Sequence, residues 1–345
     1  MTMTFTHSLR LLALPVLLAC ANPAAAAPVV PAPDAAEQAR WERQARAVTI
    51  TRDDWGLAHV HGPTDADAVF GMVYAQAEDD YNRIERNYLF ALGRTAEADG
   101  EDAIWQDLRS RMYLPHAMLR QAYADSPGWL RTLMDAWADG LNYYLATHPA
   151  VEPLAITRYE PWMALSFTEG SIGGDIERVP LRELAELYGA PPAVALALRA
   201  PADPSRDPTG SNGIAIAPSR TVDGHALLLI NPHTSFFFRS ELQMTSDEGL
   251  DAYGAATWGQ FFIYQGFNRH VGWMHTSTGA DNIDEFVLGE AEPLETRTIT
   301  LSFRKPDGSL GERSVDTLHS GYGPVTRRGG DGLVATSLMV TPVAA

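Results

Sequence analysis

One long apolar stripe constrains the fold more than any other feature of the sequence. Ala66, Phe70, Val73, Ala77, Tyr81, Ile84, Tyr88 and Leu92 recur every three or four residues, which places them on one face of an α-helix. The spacing predicts a single long helix, stopped by Gly93 just past its last apolar position. Such a stripe has to be covered by another layer. Upstream, "VTIT" (48–51) and "LAHVHG" (57–62) alternate like strands and are joined by "RDDWG". Downstream, "SPGW" opens a second helix, with Ser126 expected as its N-cap and Pro127 in its first turn. That helix is expected to bury Leu130, Leu133, Met134, Trp137 and Leu141.

The texture changes between about 188 and 210. "YGAPPAVALALRAPADPSRDPTG" carries several prolines and reads as a short helical piece followed by an exposed linker. Beyond it the chain turns to β. "GIAIA" and "ALLLI" flank "PSRTVDGH", whose Asp223-Gly224 is a good hairpin turn. "QFFIYQGF", "HVGWMH", "EFVLG", "TRTITLSF" and "GLVATSLMV" are further strand candidates. Helices first and strands later is an α+β order, with an exposed seam near residue 205.

Charge and targeting narrow the function. A formal net charge of -17 argues against nucleic acid, because phosphate binding relies on Lys and Arg. It leaves carboxylates free for a cation such as calcium. At the N-terminus Arg10 precedes the apolar run "LLALPVLLAC" (11–20) and the small residues "PAAAA". This order reads as a signal peptide over 1–26, cut after Ala26 and directing export to the periplasm or beyond. The run is too short to anchor in a bilayer. The only cysteine, Cys20, lies inside it. "LLAC" resembles a lipobox, although Leu18 fits poorly; only if Cys20 were lipidated is membrane association as an outer-membrane lipoprotein expected. Past the signal there is no thiol, so a cysteine nucleophile and disulfides are excluded there.

The chemistry centres on "DPTGSNGIAIAPSRT" (207–221). No G-x-S-x-G elbow, Walker A loop or convincing G-x-G-x-x-G is present. A turn is the plain reading of Gly210-Ser211-Asn212, with Ser211 starting a buried strand. If the Gly210–Ser211 bond were cut, however, Ser211 would carry a free α-amine of pKa about 7.7–8.0, able to act as a base beside its own hydroxyl. Gly210 tolerates the strained backbone that an attack on the preceding carbonyl requires. The pair His59 and His61 shares one strand face and suggests a metal, but no partner set is evident.

"GSNGIAIAPSRTVDGHALLLINPH" resembles the penicillin acylase family of N-terminal nucleophile hydrolases, including the acyl-homoserine-lactone and cyclic-lipopeptide acylases. "RDDWGLAHVHGPTDADAVFGMVYAQAEDDYNRIERNYLFALGRTAE" is similar to the start of the family's α chain, and "GFNRHVGWMHTSTGADNIDEF" and "YGPV" to later blocks of its β chain. The resemblance implies an α+β fold of the αββα sandwich type. It implies a division into a helical α-chain region (27–190), a spacer (191–210) and the first part of a β chain (211–345).

It further implies autocatalytic cleavage between Gly210 and Ser211, with Ser211 as nucleophile and, through its amine, as base. His233 of "NPH" would orient them, against the plainer reading of a loop histidine at a strand end. Ser277 would give its backbone N–H to an oxyanion hole, a donor typically worth ~3 kcal/mol. Asp281, the Ile283 carbonyl, Asp284 and Asp175 (or Glu177) would hold a structural calcium, where a solvated acidic loop is the alternative. Phe238, Trp258 and Phe262 would line an acyl pocket, where ordinary core aromatics are the alternative. No organic cofactor is implied. The expected substrate is an N-acylated small molecule such as an acyl-homoserine lactone, a lipopeptide or a penicillin-like amide. The family's side-chain oxyanion asparagine falls beyond Ala345. The sequence is therefore expected to be shortened in its β chain, and an inactive exported binding or scaffold protein is the alternative.

Overall fold

The computed structural model describes residues 28–167, 176–198, 210–234, 237–276 and 283–338. Its helices are α1 (Ala35–Ala47), α2 (Asp65–Ala91), α3 (Ala96–Asp99), α4 (Ile104–Tyr113), α5 (His116–Asp125), α6 (Gly128–Thr147), α7 (Leu181–Leu187) and α8 (Pro192–Ala197). The long stripe forms α2, not as one straight helix but with a kink at Asp80, whose backbone (φ -158°, ψ 73°) is not helical. Thr64 and Asp67 close a capping box at its start, which satisfies N–H groups that have no partner inside the helix. Phe70, Val73, Ala77, Tyr81, Ile84, Tyr88 and Leu92 are all buried. The second helix begins two residues later than Ser126, with Pro127 as its N-cap. Ser126 does not cap it: its hydroxyl donates backwards to the Ala122 carbonyl at 2.7 Å, closing the end of α5 instead. Met134, Trp137 and Leu141 are buried as expected, while Leu130 and Leu133 are only partly covered.

The strands are β1 (Thr49–Arg52), β2 (Ala58–Gly62), β3 (Ser211–Ile216), β4 (Leu227–Pro232), β5 (Arg239–Ser246), β6 (Asp251–Thr257), β7 (Gln265–Phe267), β8 (Gly272–Trp273), β9 (Ile283–Val287), β10 (Glu295–Arg304), β11 (Leu310–Ser320), β12 (Gly323–Gly329) and β13 (Gly332–Leu338). One sheet runs β1-β2-β5-β6-β7-β8 and a second β10-β11-β12-β13-β9. The fold is α+β, with α2 against the first sheet, α6 packed on α2, and α3, α4 and α7 against the second sheet.

The first sheet is built from both sides of the Pro-rich seam. β2 pairs in parallel with β5, Val60 facing Met244. Helix α2 is also hydrogen-bonded to the loop after β6. The Gln76 side chain donates to the Gln260 carbonyl and accepts from the Gly259 N–H, both at 2.9 Å. Tyr88 and Trp137 both donate to the Gly259 carbonyl, at 3.0 and 2.8 Å.

β3 and β4 form a separate two-stranded ribbon, and here the expectation of a buried strand fails. Ile214 is 56% exposed, Leu227 53% and Leu229 51%. Both strands are apolar on both faces, but among the described residues no layer covers them; the ribbon leans only on the edge of the first sheet. There a Cβ at Gly213 would collide with Met274, and one at Gly272 with Leu228.

Candidate active site

The Gly210–Ser211 junction sits where the ribbon starts. Gly210 has φ +150°, a conformation that a residue with a Cβ adopts only under strain. The Ser211 hydroxyl lies 2.5 Å from the Gly210 carbonyl oxygen and donates to it. The backbone N–H of His233 donates to the same oxygen at 3.1 Å. A carbonyl so placed has a donor ready for the negative charge that a nucleophile's attack on its carbon would create.

Strand register brings His233 there. Ser211 pairs with Pro232 and Asn212 with Asn231, so the residue after Pro232 arrives beside Gly210. The His233 Nε2 lies 2.9 Å from Asn231 Oδ1 and 3.1 Å from Asn212 Nδ2. Asn231 Oδ1 can only accept and Asn212 Nδ2 can only donate, so only one of these contacts is a hydrogen bond in a given tautomer; the shorter one, to Asn231, goes with a proton on Nε2. Nδ1 then carries the lone pair, on the side of Gly210, where a Cβ would lie 3.6 Å from it. The Thr276 hydroxyl donates to the Ser211 carbonyl at 3.1 Å and ties the start of β3 to the segment after β8. Gln265 donates to the carbonyl of the neighbouring His275 at 2.7 Å.

Sequence reasoning missed Thr276, Asn231 and Asn212. The two asparagines were readable once the hairpin register was assumed, since they face each other across it. Thr276 had no local signal.

The aromatic candidates separate in space. Phe238 joins Arg239, Tyr264 and His275 in one stack: the Arg239 guanidinium lies 5.3 Å from the Phe238 ring and 4.6 Å from that of Tyr264, which is 4.4 Å from His275. His275 in this stack is the chain neighbour of Thr276, whose hydroxyl supports Ser211. The Trp258 indole N–H instead donates to the Phe237 carbonyl. Phe262 lines an apolar cavity of about 360 Å³ with Phe261, Ile263, Leu250 and Trp273. Trp273 points into that cavity while Gly272 and Met274 face the ribbon, so side-chain alternation puts the cavity on the opposite face of β8 from Ser211.

Of the calcium candidates, Ile283 and Asp284 start β9, paired with Leu338 and Ser337. Asp175, Asp281 and the oxyanion candidate Ser277 lie outside the described residues, as do 1–27 with Cys20. Glu177 lies in a short helical turn, Ile176–Arg178. Among the described residues no group of three or more His, Cys, Asp or Glu side chains is arranged to hold a metal. His59 and His61 are engaged separately. His59 contacts Gln243 and Asp53, whose hydrogen bonds raise its pKa; His61 faces Asp247 at 3.5 Å. Among the described residues no helix is long and apolar enough to cross a membrane.

Residues 47–344 match the family model described as penicillin amidase. The acyl-homoserine lactone acylase PvdQ of Pseudomonas fluorescens is 27% identical over 333 residues, covering 82% of this chain and 41% of that protein. The penicillin acylase 2 proenzyme of a Pseudomonas species is 26% identical over 237 residues, covering 55% and 30%. A thermostable penicillin G acylase from Alcaligenes faecalis aligns in structure with a TM-score of 0.34 at 20% identity, covering 47% of this chain and 96% of that one. The chain spans about two fifths of the length of the PvdQ relatives it matches.

Proposed function

Because the chain belongs to the penicillin amidase family, we propose that it is a proenzyme segment that cuts itself before Ser211 and then hydrolyses the amide bond of N-acylated small molecules. The observation carrying this reading is the junction itself: a hydroxyl 2.5 Å from the Gly210 carbonyl oxygen, a second donor on that oxygen, and a glycine at φ +150°.

In the first stage Ser211 Oγ attacks the Gly210 carbonyl carbon. The His233 N–H stabilises the oxyanion, and the C–N bond breaks as the hydroxyl proton passes to the Ser211 nitrogen. Water then hydrolyses the resulting ester and leaves Ser211 with a free α-amine. In the second stage that amine takes the Oγ proton, and Oγ attacks the substrate carbonyl. The leaving amine departs with the proton, and water releases the acid from the acyl-enzyme. His233, held by Asn231, keeps its lone pair towards this centre. Ser277 is retained as the source of a backbone oxyanion donor.

The similarity to acyl-homoserine lactone and penicillin acylases supports a hydrophobic acyl group on the substrate, with fatty-acyl amides first. Phe238 is the preferred acyl contact ahead of Phe262, because its stack ends at His275, the chain neighbour of Thr276, whereas Phe262 lines a cavity on the other face of β8. A structural calcium on Asp175, Asp281, Ile283 and Asp284 remains part of the proposal, as does export through the 1–26 signal; no step of the reaction depends on either.

The test is expression of the full-length precursor with N-terminal sequencing of its products. Two fragments are expected, the second starting at Ser211, and Ser211→Ala should remain one chain without acylase activity. A precursor that stays intact, or a variant still cut at Gly210, refutes the scheme.

A further inference from the structure

Away from Ser211, three arginines converge on a second cavity of about 280 Å³ between the end of α2, the helices α4 and α5, and β10. Two of them are already neutralised. Arg94 forks onto Glu97 at 2.8 and 2.7 Å. Arg120 forks onto Glu160 at 2.6 and 3.0 Å and lies 4.3 Å over the Trp162 ring.

Arg111 is different. It makes no hydrogen bond or ion pair among the described residues, and its Nε is buried without an acceptor. Loss of solvent lowers its pKa, and the nearby carboxylates of Asp107 and Glu97 offset this only in part. His116 adds no charge near neutral pH, since burial and Arg111 push its pKa down to about 4. On the cavity wall Arg94 and Arg120 are each paired with a glutamate, and Arg111 is the guanidinium without an ion pair among the described residues.

The other unused groups are donors too. The buried Trp162 indole N–H has no hydrogen bond of sound geometry, although it is near enough to Glu160 to help lower that carboxyl's pKa. Ser302 presents a hydroxyl with no partner among the described residues. The backbone makes room for Arg111: Gly93 has φ +59°, and a Cβ there would lie 2.8 Å from the Arg111 Cγ. A partly buried guanidinium without a hydrogen-bond acceptor is costly to keep, so a wall that offers this guanidinium and further unused donors is matched to an anion with acceptor oxygens.

We propose that this cavity is a binding site for a small monocarboxylate, held by the planar fork of Arg111 with Ser302 and Trp162 as further donors. Arginine's paired N–H groups fit a carboxylate better than a spherical ion. The site stands apart from Ser211, and its test needs no turnover. The probe is ¹³C-acetate, titrated into the full chain at constant ionic strength and followed by NMR line broadening, with chloride and phosphate as competitors. Saturable binding is expected, displaced far less well by chloride or phosphate than by unlabelled acetate. Arg111→Gln should weaken it at least about tenfold and Arg111→Lys, which keeps the charge but loses the fork, by nearly as much. Should Arg111→Gln fail to fold by circular dichroism, Ser302→Ala is the second variant, expected to weaken acetate about threefold. Absence of saturable binding, equal displacement by chloride, or acetate binding unaffected by these variants overturns the proposal.

Discussion

The framework around α2 and the ribbon of β3 and β4 are opposites built from similarly apolar sequence. In the framework Val60 is 1% exposed, Leu242 2% and Ala256 0%, and polar groups are paired across the seam, as Gln76 is with Gly259 and Gln260. In the ribbon Ile214, Leu227 and Leu229 are more than half exposed, and the backbone enters through a glycine at φ +150°. The difference teaches where this chain can be cut. The β2–β5 ladder joins segments from before and after Ser211, so breaking the 210–211 bond severs the backbone without opening the core. The nucleophilic hydroxyl and the junction it faces lie in the region that contributes little burial.

The largest effect should come from unpairing the framework. Glu85 is fully buried, and its carboxylate accepts from the N–H groups of Leu154, Ala155 and Ile156 at 2.7–2.8 Å. Glu85→Ala leaves three buried donors without an acceptor, a loss of about 3–5 kcal/mol. Urea unfolding should show this as a lower midpoint with an unchanged slope. If stability barely changes, burial in the framework is not what distinguishes the two regions.

Next is a pH effect in the same framework. His116 donates from Nε2 to the Leu92 carbonyl at 2.8 Å, and burial followed by the charge of Arg111 depresses its pKa to about 4. Between that value and the ordinary 6.5 the unfolded chain takes up the proton and the folded chain does not. The associated stability is present above pH 6.5 and is lost as pH falls towards 4, by at most about 3 kcal/mol. His116→Gln should flatten this part of the stability profile in urea titrations between pH 4 and 7; an unchanged slope there would show that other groups set it.

The same contrast explains what could be read in advance. The α2 stripe was legible because its 3.6-residue period runs unbroken from Ala66 to Leu92, and burial followed from it. β5 and β6 escaped notice because "RSELQMTS" and "DAYGAAT" mix charged, polar and small residues; their strand identity comes from pairing with β2 and each other. The ribbon was misread in the other direction. "GIAIA" and "LLLI" carry the composition of a buried strand, but burial depends on a covering layer that composition cannot specify. At the junction, Gly210, Ser211 and His233 stood out as residue types. The Thr276 contact did not, since 65 residues separate it from Ser211 and only the folded sheet closes that distance.

A smaller effect is expected at the ribbon's entrance. Gly210→Val places a branched Cβ where φ is +150° and the His233 ring lies 3.6 Å from the Cβ position. The backbone should relax towards negative φ and carry the carbonyl away from Ser211 Oγ, which raises the barrier to cleavage by about 1–3 kcal/mol without costing stability. Conversion of precursor to fragments, followed by electrophoresis, should slow about tenfold or more, while the urea midpoint stays within error of the parent. A large fall in that midpoint would mean that the ribbon is as strongly coupled to the core as the framework is.

The smallest effect tests the histidine's orientation rather than the ribbon's strain. Asn231 Oδ1 accepts from His233 Nε2 at 2.9 Å, whereas the Asn212 amide nitrogen sits 3.1 Å from the same atom. Both cannot be hydrogen bonds in one tautomer. With the proton on Nε2, only Asn231 holds the ring, and Asn231→Ala removes about 1 kcal/mol of positioning. That corresponds to about fivefold slower processing, while Asn212→Ala should leave the rate within about twofold. The reverse ranking would place the proton on Nδ1. The lone pair would then point away from Gly210, and the ribbon would lose the group that makes its exposed junction more reactive than an ordinary strained turn.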